Sequence, residues 1–229
     1  MDTSELLASV PTGLWIGGEE RAGSSTFDVL NPATEEVLIS VADATAEDAV
    51  AALDAACAVQ AEWAATAPRE RGEILRAVFE SITERTDEIA ALITLEMGKV
   101  LAESKGEVKY GSEFFRWFAE EAVRIGGRYT PAPAGTGRII VTKAPVGPWY
   151  AITPWNFPTA MITRKLGPAL ACGCTMVIKP AELTPLSALA VAELALEAGI
   201  PAGVVNVVTG DAQAIGQELL SNPIVRKLS

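Results

Sequence analysis

Two short polar segments in the C-terminal half of the sequence have residue types that could bind a ligand or take part in catalysis. The first is Ile152-Thr153-Pro154-Trp155-Asn156-Phe157-Pro158, in which a primary amide and a large aromatic ring lie between two prolines that restrict the backbone. A helix is predicted directly after it, and the free N–H groups of a helix N-terminus favour negative charge. A rigid amide at Asn156 could therefore donate to an oxyanion. The alternative is that Asn156 only caps the helix and Trp155 packs in the core.

The second segment, Lys179-Pro180-Ala181-Glu182, follows an apolar stretch that is typical of a buried strand. A lysine with a carboxylate three residues later could hold the two hydroxyl groups of a ribose by charge-assisted hydrogen bonds. The alternative is an ordinary ion pair on the surface. A third segment, 208–216, contains Gly210 and Gly216, which allow a ligand to approach the backbone closely. It is not a GxGxxG sequence, and alone it indicates little.

The three cysteines, Cys57, Cys172 and Cys174, are not predicted to form disulfides or to bind metal. Their number is odd, and the Cys-Gly-Cys spacing matches neither a zinc knuckle nor a CxxC redox pair. We interpret them as reduced, structural thiols of a cytoplasmic protein. No metal site is expected.

The composition excludes several other kinds of chemistry and several classes of partner. The 229-residue chain has no histidine, which excludes Ser-His-Asp and Cys-His mechanisms and histidine metal sites. Its net charge of −11 works against nucleic acid or an anionic membrane as a partner. Its 49% hydrophobic residues suffice for a core. The N-terminus is acidic and the uncharged stretch 144–163 contains several prolines, so neither a signal peptide nor a membrane helix is expected.

The elements before residue 128 are predicted to be mainly helical. Leu14-Trp15-Ile16 followed by two glycines predicts a short hairpin, and a turn at Asn31-Pro32 precedes a strand over 37–41. An approximate capping box at Thr45 and Asp48 begins the first of four helices. These are predicted to end near residues 63, 84, 98 and 126. Extended pieces on either side of a Pro- and Gly-rich turn then predict a protruding hairpin within 129–146.

From residue 147 onwards, short strands that are apolar on both faces alternate with helices. Strands are predicted over 149–153, 175–179 and 204–208, and helices over 157–171, 185–198 and 211–220. This pattern predicts an α/β fold with a doubly wound, Rossmann-like parallel sheet, in which ligands bind beyond the carboxyl ends of the strands. We expect an N-terminal helical part (1–128), a hairpin arm (129–146) and an incomplete Rossmann-like core (147–229). Because a further strand is predicted to start over 224–228, just before the last residue, the chain is expected to be truncated.

Several motifs together resemble the N-terminal half of the NAD(P)-dependent aldehyde dehydrogenase superfamily. They are Pro154-Trp155-Asn156-Phe157-Pro158, then Gly173-Cys174-Thr175 with 178–185, then Gly199-Ile200-Pro201-Ala202-Gly203-Val204 with Asn206. The resemblance extends over nearly the whole chain, from Leu14 to Ser229. Three further segments resemble the succinate-semialdehyde dehydrogenase branch: Leu95-Glu96-Met97-Gly98-Lys99, Met161-Ile162-Thr163-Arg164-Lys165 and 222–229.

The resemblance implies a role for each polar segment. Asn156 matches the amide that holds the oxyanion of a cysteine thiohemiacetal, and Lys179 and Glu182 match the pair that binds the adenine ribose. Residues Ile152, Thr153, Pro154 and Trp155 would line the same cofactor groove, as would Pro180 and Ala181, while Gly210 and Gly216 fall where the family's loop passes the adenosine and pyrophosphate. Because a carboxylate at Glu182 would accept from both ribose hydroxyls and repel a 2′-phosphate, we expect NAD, with NADP as the other candidate.

Arg164 matches the arginine that binds the distal carboxylate of a semialdehyde, a task that suits a bidentate guanidinium. The alternative is a cation on the helix surface that pairs with a neighbouring carboxylate. The family's nucleophilic cysteine, glutamate base and nicotinamide loop have no match in this sequence, so the 229 residues alone are expected to be inactive. Cys172 and Cys174 match positions of small packing residues in the family, and Cys57 lies in an alanine-rich predicted helix. Trp149-Tyr150 departs from the smaller residues usual before this loop.

The resemblance therefore implies an oxidoreductase that converts an aldehyde, expected to be succinate semialdehyde, to the carboxylate. The hairpin over 129–146 would be an oligomerisation arm, which implies a homo-oligomer. Two other functions are compatible with the sequence. One is a catalytically inactive dinucleotide-binding or assembly module, and the other is an aldehyde dehydrogenase that transfers the acyl group to coenzyme A.

Overall fold

A short helix and two small hairpins are the first elements of the described chain. The structure is a computed structural model that describes residues 3–229. Its first elements are α1 (Thr3–Ala8), β1 (Leu14–Ile16), β2 (Glu19–Arg21), β3 (Ser25–Leu30) and β4 (Val37–Asp43). The predicted hairpin at Leu14–Ile16 is confirmed, and it turns at two glycines. Strand β3 was not predicted; Phe27 and Val29 alternate with polar residues there, and Val29 is its one buried residue.

Four helices follow and confirm the predicted helical segment. They are α2 (Ala46–Ala65), α3 (Pro68–Glu84), α4 (Thr86–Met97) and α5 (Leu101–Glu121). The capping box is present at the start of α2: the N–H of Asp48 donates to Thr45 Oγ1, and the N–H of Thr45 donates to Asp48 Oδ2. Helix α5 ends before the predicted glycines, because a single 3-10 turn over Ala122–Arg124 takes the place of its last turn.

The predicted hairpin arm is also present. Strands β5 (Arg128–Pro131) and β6 (Arg138–Val141) pair in an antiparallel, two-stranded sheet that is separate from the main sheet. Every residue of both strands is exposed, including the apolar side chains of Tyr129 and Ile140. The arm therefore projects from the body of the protein.

The C-terminal part has the predicted alternation of strands and helices. It consists of β7 (Trp149–Ile152), α6 (Pro158–Ala171), β8 (Met176–Lys179), α7 (Leu186–Glu197), β9 (Val205–Val207), α8 (Ala212–Ser221) and β10 (Lys227–Leu228). The sheet has the order β10-β7-β8-β9-β1-β2. Its first four strands are parallel, and β1 joins β9 in antiparallel orientation.

Helices cover both faces of this sheet, which confirms the doubly wound α/β fold. Tyr150 and Val177 are register partners and pack in one core cluster with α2 and α8. Ala151 and Ile178, the next register pair, pack in the other cluster with α3 to α7. Successive strand residues point to opposite faces, so both faces of β7 and β8 are apolar. None of the helices within residues 3–229 is long and apolar enough to cross a membrane.

Candidate functional site

The segments 152–158, 179–182 and 208–216 all leave the main sheet at one edge, which is formed by the carboxyl ends of its parallel strands. Strands β7 and β8 end at Ile152 and Lys179, which are register partners, and the N–H of Thr153 donates to the carbonyl of Lys179 at 3.1 Å. Strand β9 is parallel to β8, so the loop that contains Gly210 emerges on the same side. The structure thus brings Asn156, Lys179 and Gly210, from three separate segments, to the carboxyl edge of the sheet, where open α/β proteins bind ligands.

The side chains of Trp155 and Asn156 are exposed at this edge. Trp155 is 52% exposed, so it is not a core residue. The residue at the N-cap of α6 is Phe157, and the Asn156 side chain makes no hydrogen bond within residues 3–229. The alternatives of a capping amide and a core tryptophan are therefore wrong. The amide of Asn156 is available to a ligand.

A carboxylate from α5 satisfies the N-terminus of α6. Buried Glu107 accepts through Oε1 from the N–H groups of Thr159 at 3.0 Å and Ala160 at 3.1 Å. Its Oε2 lies 2.5 Å from the Nζ of Lys99, which also donates to the carbonyl of Asn156 at 3.1 Å. The expectation that these helix N–H groups are free to attract an oxyanion is thus wrong, because Glu107 already occupies two of them.

The sequence prediction missed Lys99 and Glu107 as site residues. Lys99 occurs in one of the motifs that resemble the semialdehyde branch, but no role was derived for it. A signal for Glu107 exists, since this carboxylate lies on the stripe of α5 that is otherwise lined by small and apolar residues: Ser104, Val108, Gly111 and Phe115.

In the second segment, a buried ammonium group pairs with a half-exposed carboxylate. Lys179 is 1% exposed, and its Nζ forms an ion pair with Oε1 of Glu182, whose side chain is 45% exposed. The pair is therefore not an ordinary surface ion pair, because burial of the ammonium requires the carboxylate beside it. Pro180 is buried and Ala181 half-buried between them. The exposed part of Glu182 can accept hydrogen bonds from a ligand.

A second carboxylate, Glu96 at the end of α4, caps the helix that follows this segment. It accepts from the N–H of Leu186 at 2.7 Å, from the N–H of Ser187 at 3.0 Å and from the Ser187 hydroxyl. Burial raises the pKa of Glu96 to about 7, against the lowering effect of these hydrogen bonds. Glu96 also lines a cavity of about 400 Å³ together with Trp155 and Glu182. The cavity connects the first two segments.

The third segment places its two glycines differently. Gly210 directly follows the buried Thr209 and has a φ of +122°, and a Cβ there would lie 2.3 Å from Asp43 Oδ1. Gly216 lies inside α8 and is buried, where a Cβ would lie 3.9 Å from the hydroxyl of Tyr150. That hydroxyl is buried without a hydrogen-bond partner among the described residues, and burial raises the pKa of Tyr150 to about 12. Gly210 therefore lies in the loop at the sheet edge, and Gly216 faces the core.

Arg164 is exposed on α6 and has no carboxylate partner within residues 3–229. Its guanidinium lies 5.5 Å from the ring centroid of Phe114, and its Nη1 is 3.7 Å from the sulfur of Met161. The alternative of a surface cation paired with a carboxylate is thus wrong. Burial, followed by the positive charges of Arg164 and Lys227, lowers the pKa of Lys165, so the surroundings of Arg164 are cationic.

The cysteines lie away from this edge. Cys172 and Cys174 follow α6 and precede β8, at the opposite end of the strand from Lys179, and Cys57 lies in α2. All three are free thiols. Burial raises the pKa of Cys57 and of Cys172, which disfavours the thiolate. No group of three potential metal ligands occurs in the part of the chain that the structure describes.

The fold and this arrangement of loops define an open α/β protein with a ligand site at the carboxyl edge of its sheet. A model described as the aldehyde dehydrogenase family matches residues 19–229, and the chain belongs to this family.

The relatives that the chain matches include several semialdehyde dehydrogenases. It is 57% identical over 194 residues to a succinate-semialdehyde dehydrogenase of Paenarthrobacter nicotinovorans, covering 84% of this chain and 43% of the relative. It is 54% identical over 217 residues to succinate-semialdehyde dehydrogenase [NADP(+)] of Escherichia coli K12, covering 95% of this chain and 44% of the relative. A glutarate-semialdehyde dehydrogenase of Pseudomonas aeruginosa is 52% identical, with 95% and 44% covered. The chain thus spans under half the length of these relatives.

Solved structures show the same fold. The crystal structure of an NADP-dependent enzyme of E. coli superposes with a TM-score of 0.94 at 52% identity, covering 98% of this chain and 47% of that one. Betaine aldehyde dehydrogenase of Staphylococcus aureus in complex with NAD⁺ has a TM-score of 0.95 at 34% identity, covering 99% and 46%.

Proposed function

We propose that this chain is the cofactor-binding part of an NAD(P)-dependent aldehyde dehydrogenase that oxidises succinate semialdehyde or a close relative to the carboxylate. The observation that carries the proposal is the adjacency of two loops, one with the free amide of Asn156 and one with the Lys179–Glu182 pair, which start from register partners of the sheet. The nucleophilic cysteine and the glutamate base of such an enzyme would lie outside residues 1–229.

The residues present suit a dinucleotide. The half-exposed carboxylate of Glu182 can accept from two ribose hydroxyls, while the buried Lys179 fixes its position. Trp155 and Glu182 line the same cavity, of about 400 Å³, so an aromatic face and a carboxylate would meet one ligand there. When bound, the dinucleotide supplies the acceptor for the hydride of the aldehyde. The chain's own contribution is to bind it, and to offer the Asn156 amide to the oxygen of the substrate.

Arg164 is the residue proposed to select the substrate. The curated relatives described above are named for succinate and glutarate semialdehyde, which both carry a distal carboxylate. An exposed guanidinium with no carboxylate partner within residues 3–229 can bind such a group, and the charges of Lys165 and Lys227 add to the attraction. On a chain with a net charge of −11, a local cationic site is needed to hold an anionic substrate.

The hairpin arm and the cell compartment belong to the same proposal. The exposed apolar side chains of β5 and β6 would contact another copy of the chain in a homo-oligomer. The free thiols are compatible with a cytoplasmic location.

The cofactor part can be tested with the 229-residue chain itself. NAD is titrated while tryptophan fluorescence is followed, with Trp155→Phe as the control that separates this ring from the other four tryptophans. We expect saturable quenching that is lost in Trp155→Phe. Absence of binding by a folded sample would contradict the cofactor site.

The substrate part is tested in the complete enzyme. Arg164→Ala should lower kcat/KM for succinate semialdehyde by about 10- to 100-fold, the value of a hydrogen-bonded charge pair, and leave butanal nearly unaffected. Arg116→Ala, which removes an exposed arginine of α5, is the matched control. Equal losses for both aldehydes would contradict the assignment of Arg164.

A further inference from the structure

Lys99 and Glu107 contact the backbone on both sides of Asn156. Before the helix, Lys99 Nζ donates to the carbonyl of Asn156 at 3.1 Å and lies 3.9 Å from the ring centroid of Phe157. Within the helix, Glu107 Oε1 accepts from the N–H groups of Thr159 and Ala160. The two side chains also bind each other, with 2.5 Å between Lys99 Nζ and Glu107 Oε2. A single ion pair therefore fixes the chain from residue 156 to residue 160.

The remaining contacts of this loop do not fix its conformation. Within the described residues, the backbone of 154–156 makes one hydrogen bond, the one from Lys99 to the carbonyl of Asn156. The side chains of Trp155 and Asn156 are exposed. The direction of the Asn156 side chain thus depends on its own peptide unit, and Lys99 holds that unit.

The surrounding chain is built to bring the pair to this place. Gly98 ends α4 at a φ of +81°, which turns the chain so that Lys99 points towards the loop. Gly111 on α5 would place a Cβ 3.3 Å from the Cα of Ala160, so the absence of a side chain there allows α5 to approach α6 closely. This close approach puts Glu107 within hydrogen-bond distance of the helix N-terminus.

Stability alone does not account for a pair buried this deeply. The side chains of Lys99 and Glu107 are 8% and 0% exposed, whereas those of the neighbouring pair Lys105–Asp87 are 45% and 80% exposed. Removing two charges from water costs free energy that their attraction often does not recover, and apolar residues of similar volume can be as stable. A buried pair that holds a loop has a different role, because it fixes the position of the loop.

We propose that Lys99 and Glu107 are positioning residues for the Asn156 amide. This inference rests on the proposed function, in which that amide donates to the oxygen of the aldehyde. The pair would keep the amide at hydrogen-bond distance from the place where negative charge develops. Because misplacement by about 1 Å can cost on the order of 100-fold in rate, a loop with a single hydrogen bond over 154–156 needs such support.

A double-substitution cycle on the complete enzyme separates positioning from general structural support. Lys99→Met should lower kcat by about 10-fold or more, with the KM values for aldehyde and dinucleotide within about two-fold of the wild type. In an Asn156→Ala background, Lys99→Met should have no further effect on kcat, because Lys99 acts through that amide. Lys99→Arg should recover most of the rate. Lys105→Met is the matched control and should leave kcat unchanged.

Losses that add in the double variant would overturn the proposal, as would a fall in both kcat and dinucleotide binding that Lys99→Arg does not reverse. Either result would show that Lys99 supports the fold and not the amide.

Hydrogen exchange of the 229-residue chain gives a readout that does not need turnover. Glu107→Ala should speed exchange of the Thr159 and Ala160 amides by about 10-fold or more, while the amides of Leu166, Gly167, Ala169 and Leu170 keep their protection. Glu107→Gln should retain part of the protection of the Thr159 and Ala160 amides. Unchanged exchange at 159 and 160 would overturn the proposal. If the wild-type enzyme oxidises no aldehyde but these amides respond as expected, the proposed function fails and the role of Glu107 in holding the loop stands.

Discussion

Replacing Glu182 by glutamine should raise the affinity of the chain for NADP relative to NAD. The carboxylate of Glu182 is paired with the ammonium of Lys179, and its exposed part faces the cavity lined by Trp155. A carboxylate there can bind two ribose hydroxyls and repels a 2′-phosphate. In Glu182→Gln the repulsion is gone, the amide can still bond one hydroxyl, and a 2′-phosphate would supply the negative charge that the buried ammonium of Lys179 requires.

The size of this shift in cofactor affinity follows from the charge repulsion and from the exposure of the Glu182 side chain. Two unit charges about 4 Å apart interact by about 4 kcal/mol at an effective dielectric constant of about 20. The side chain of Glu182 is 45% exposed, so solvent and salt screen more than half of that repulsion. About 1 to 2 kcal/mol remains, which corresponds to a change of about 5- to 30-fold in the ratio of the two dissociation constants.

The assay is a fluorescence titration of the 229-residue chain with NAD and with NADP, for the wild type, Glu182→Gln and the control Glu197→Gln. Glu197 is an exposed glutamate paired with Arg85 at 3.7 Å, and its substitution should not change the ratio. If Glu182→Gln weakens the binding of both cofactors equally, the carboxylate only stabilises the loop, and the proposed contact with the ribose is refuted. An unchanged ratio with both cofactors still bound would refute it too, since the carboxylate would then not face the ribose.

Two further predictions concern stability. Burial raises the pKa of Glu96 from 4.5 to about 7, so the native state binds a proton at Glu96 more tightly than the unfolded chain does. The stability that this bound proton adds is therefore complete below pH 4.5 and is lost as the pH rises through 7. Glu96→Gln should therefore remove about 3 kcal/mol of pH dependence in urea unfolding between pH 4.5 and pH 7, and parallel profiles for variant and wild type would contradict the assignment. Gly210→Ala should lower the free energy of unfolding by about 2 kcal/mol or more, because Gly210 has a φ of +122° and a Cβ would approach Asp43. Gly106→Ala, on an open face of α5, should instead be neutral or stabilising by up to about 1 kcal/mol, and equal effects of the two substitutions would contradict this reasoning.

The parallel sheet and the three loops at its edge could be predicted because their signals are local. Strands such as Met176–Lys179 are apolar on both faces, and each is followed by a polar segment and a helix. That order is enough to place Asn156, Lys179 and Gly210 at the same edge of a sheet.

The residues that hold these loops could not be predicted, because they act across long separations in the chain. Glu107 accepts from the N–H of Thr159, 52 positions later, and Glu96 accepts from the N–H of Leu186, 90 positions later. The place of Glu107 on the apolar stripe of α5 indicates that this carboxylate is buried, but it does not show which distant group the carboxylate binds. The orientation of Trp155 was open for the same reason, since a local pattern does not show which aromatic residue the core leaves outside.

The antiparallel pairing of β1 with β9 has a consequence for how the chain folds during its synthesis. The N–H of Gly17 donates to the side chain of Asn206 at 2.8 Å, a contact between residues 189 positions apart. At about 5 to 20 residues per second, a ribosome would need roughly 10 to 40 seconds to make the intervening chain. Leu14 and Ile16, which are fully buried in the finished sheet, have no sheet partner for that time apart from their own hairpin. Strand β1 is therefore synthesised well before β9, the strand against which it is buried in the finished sheet.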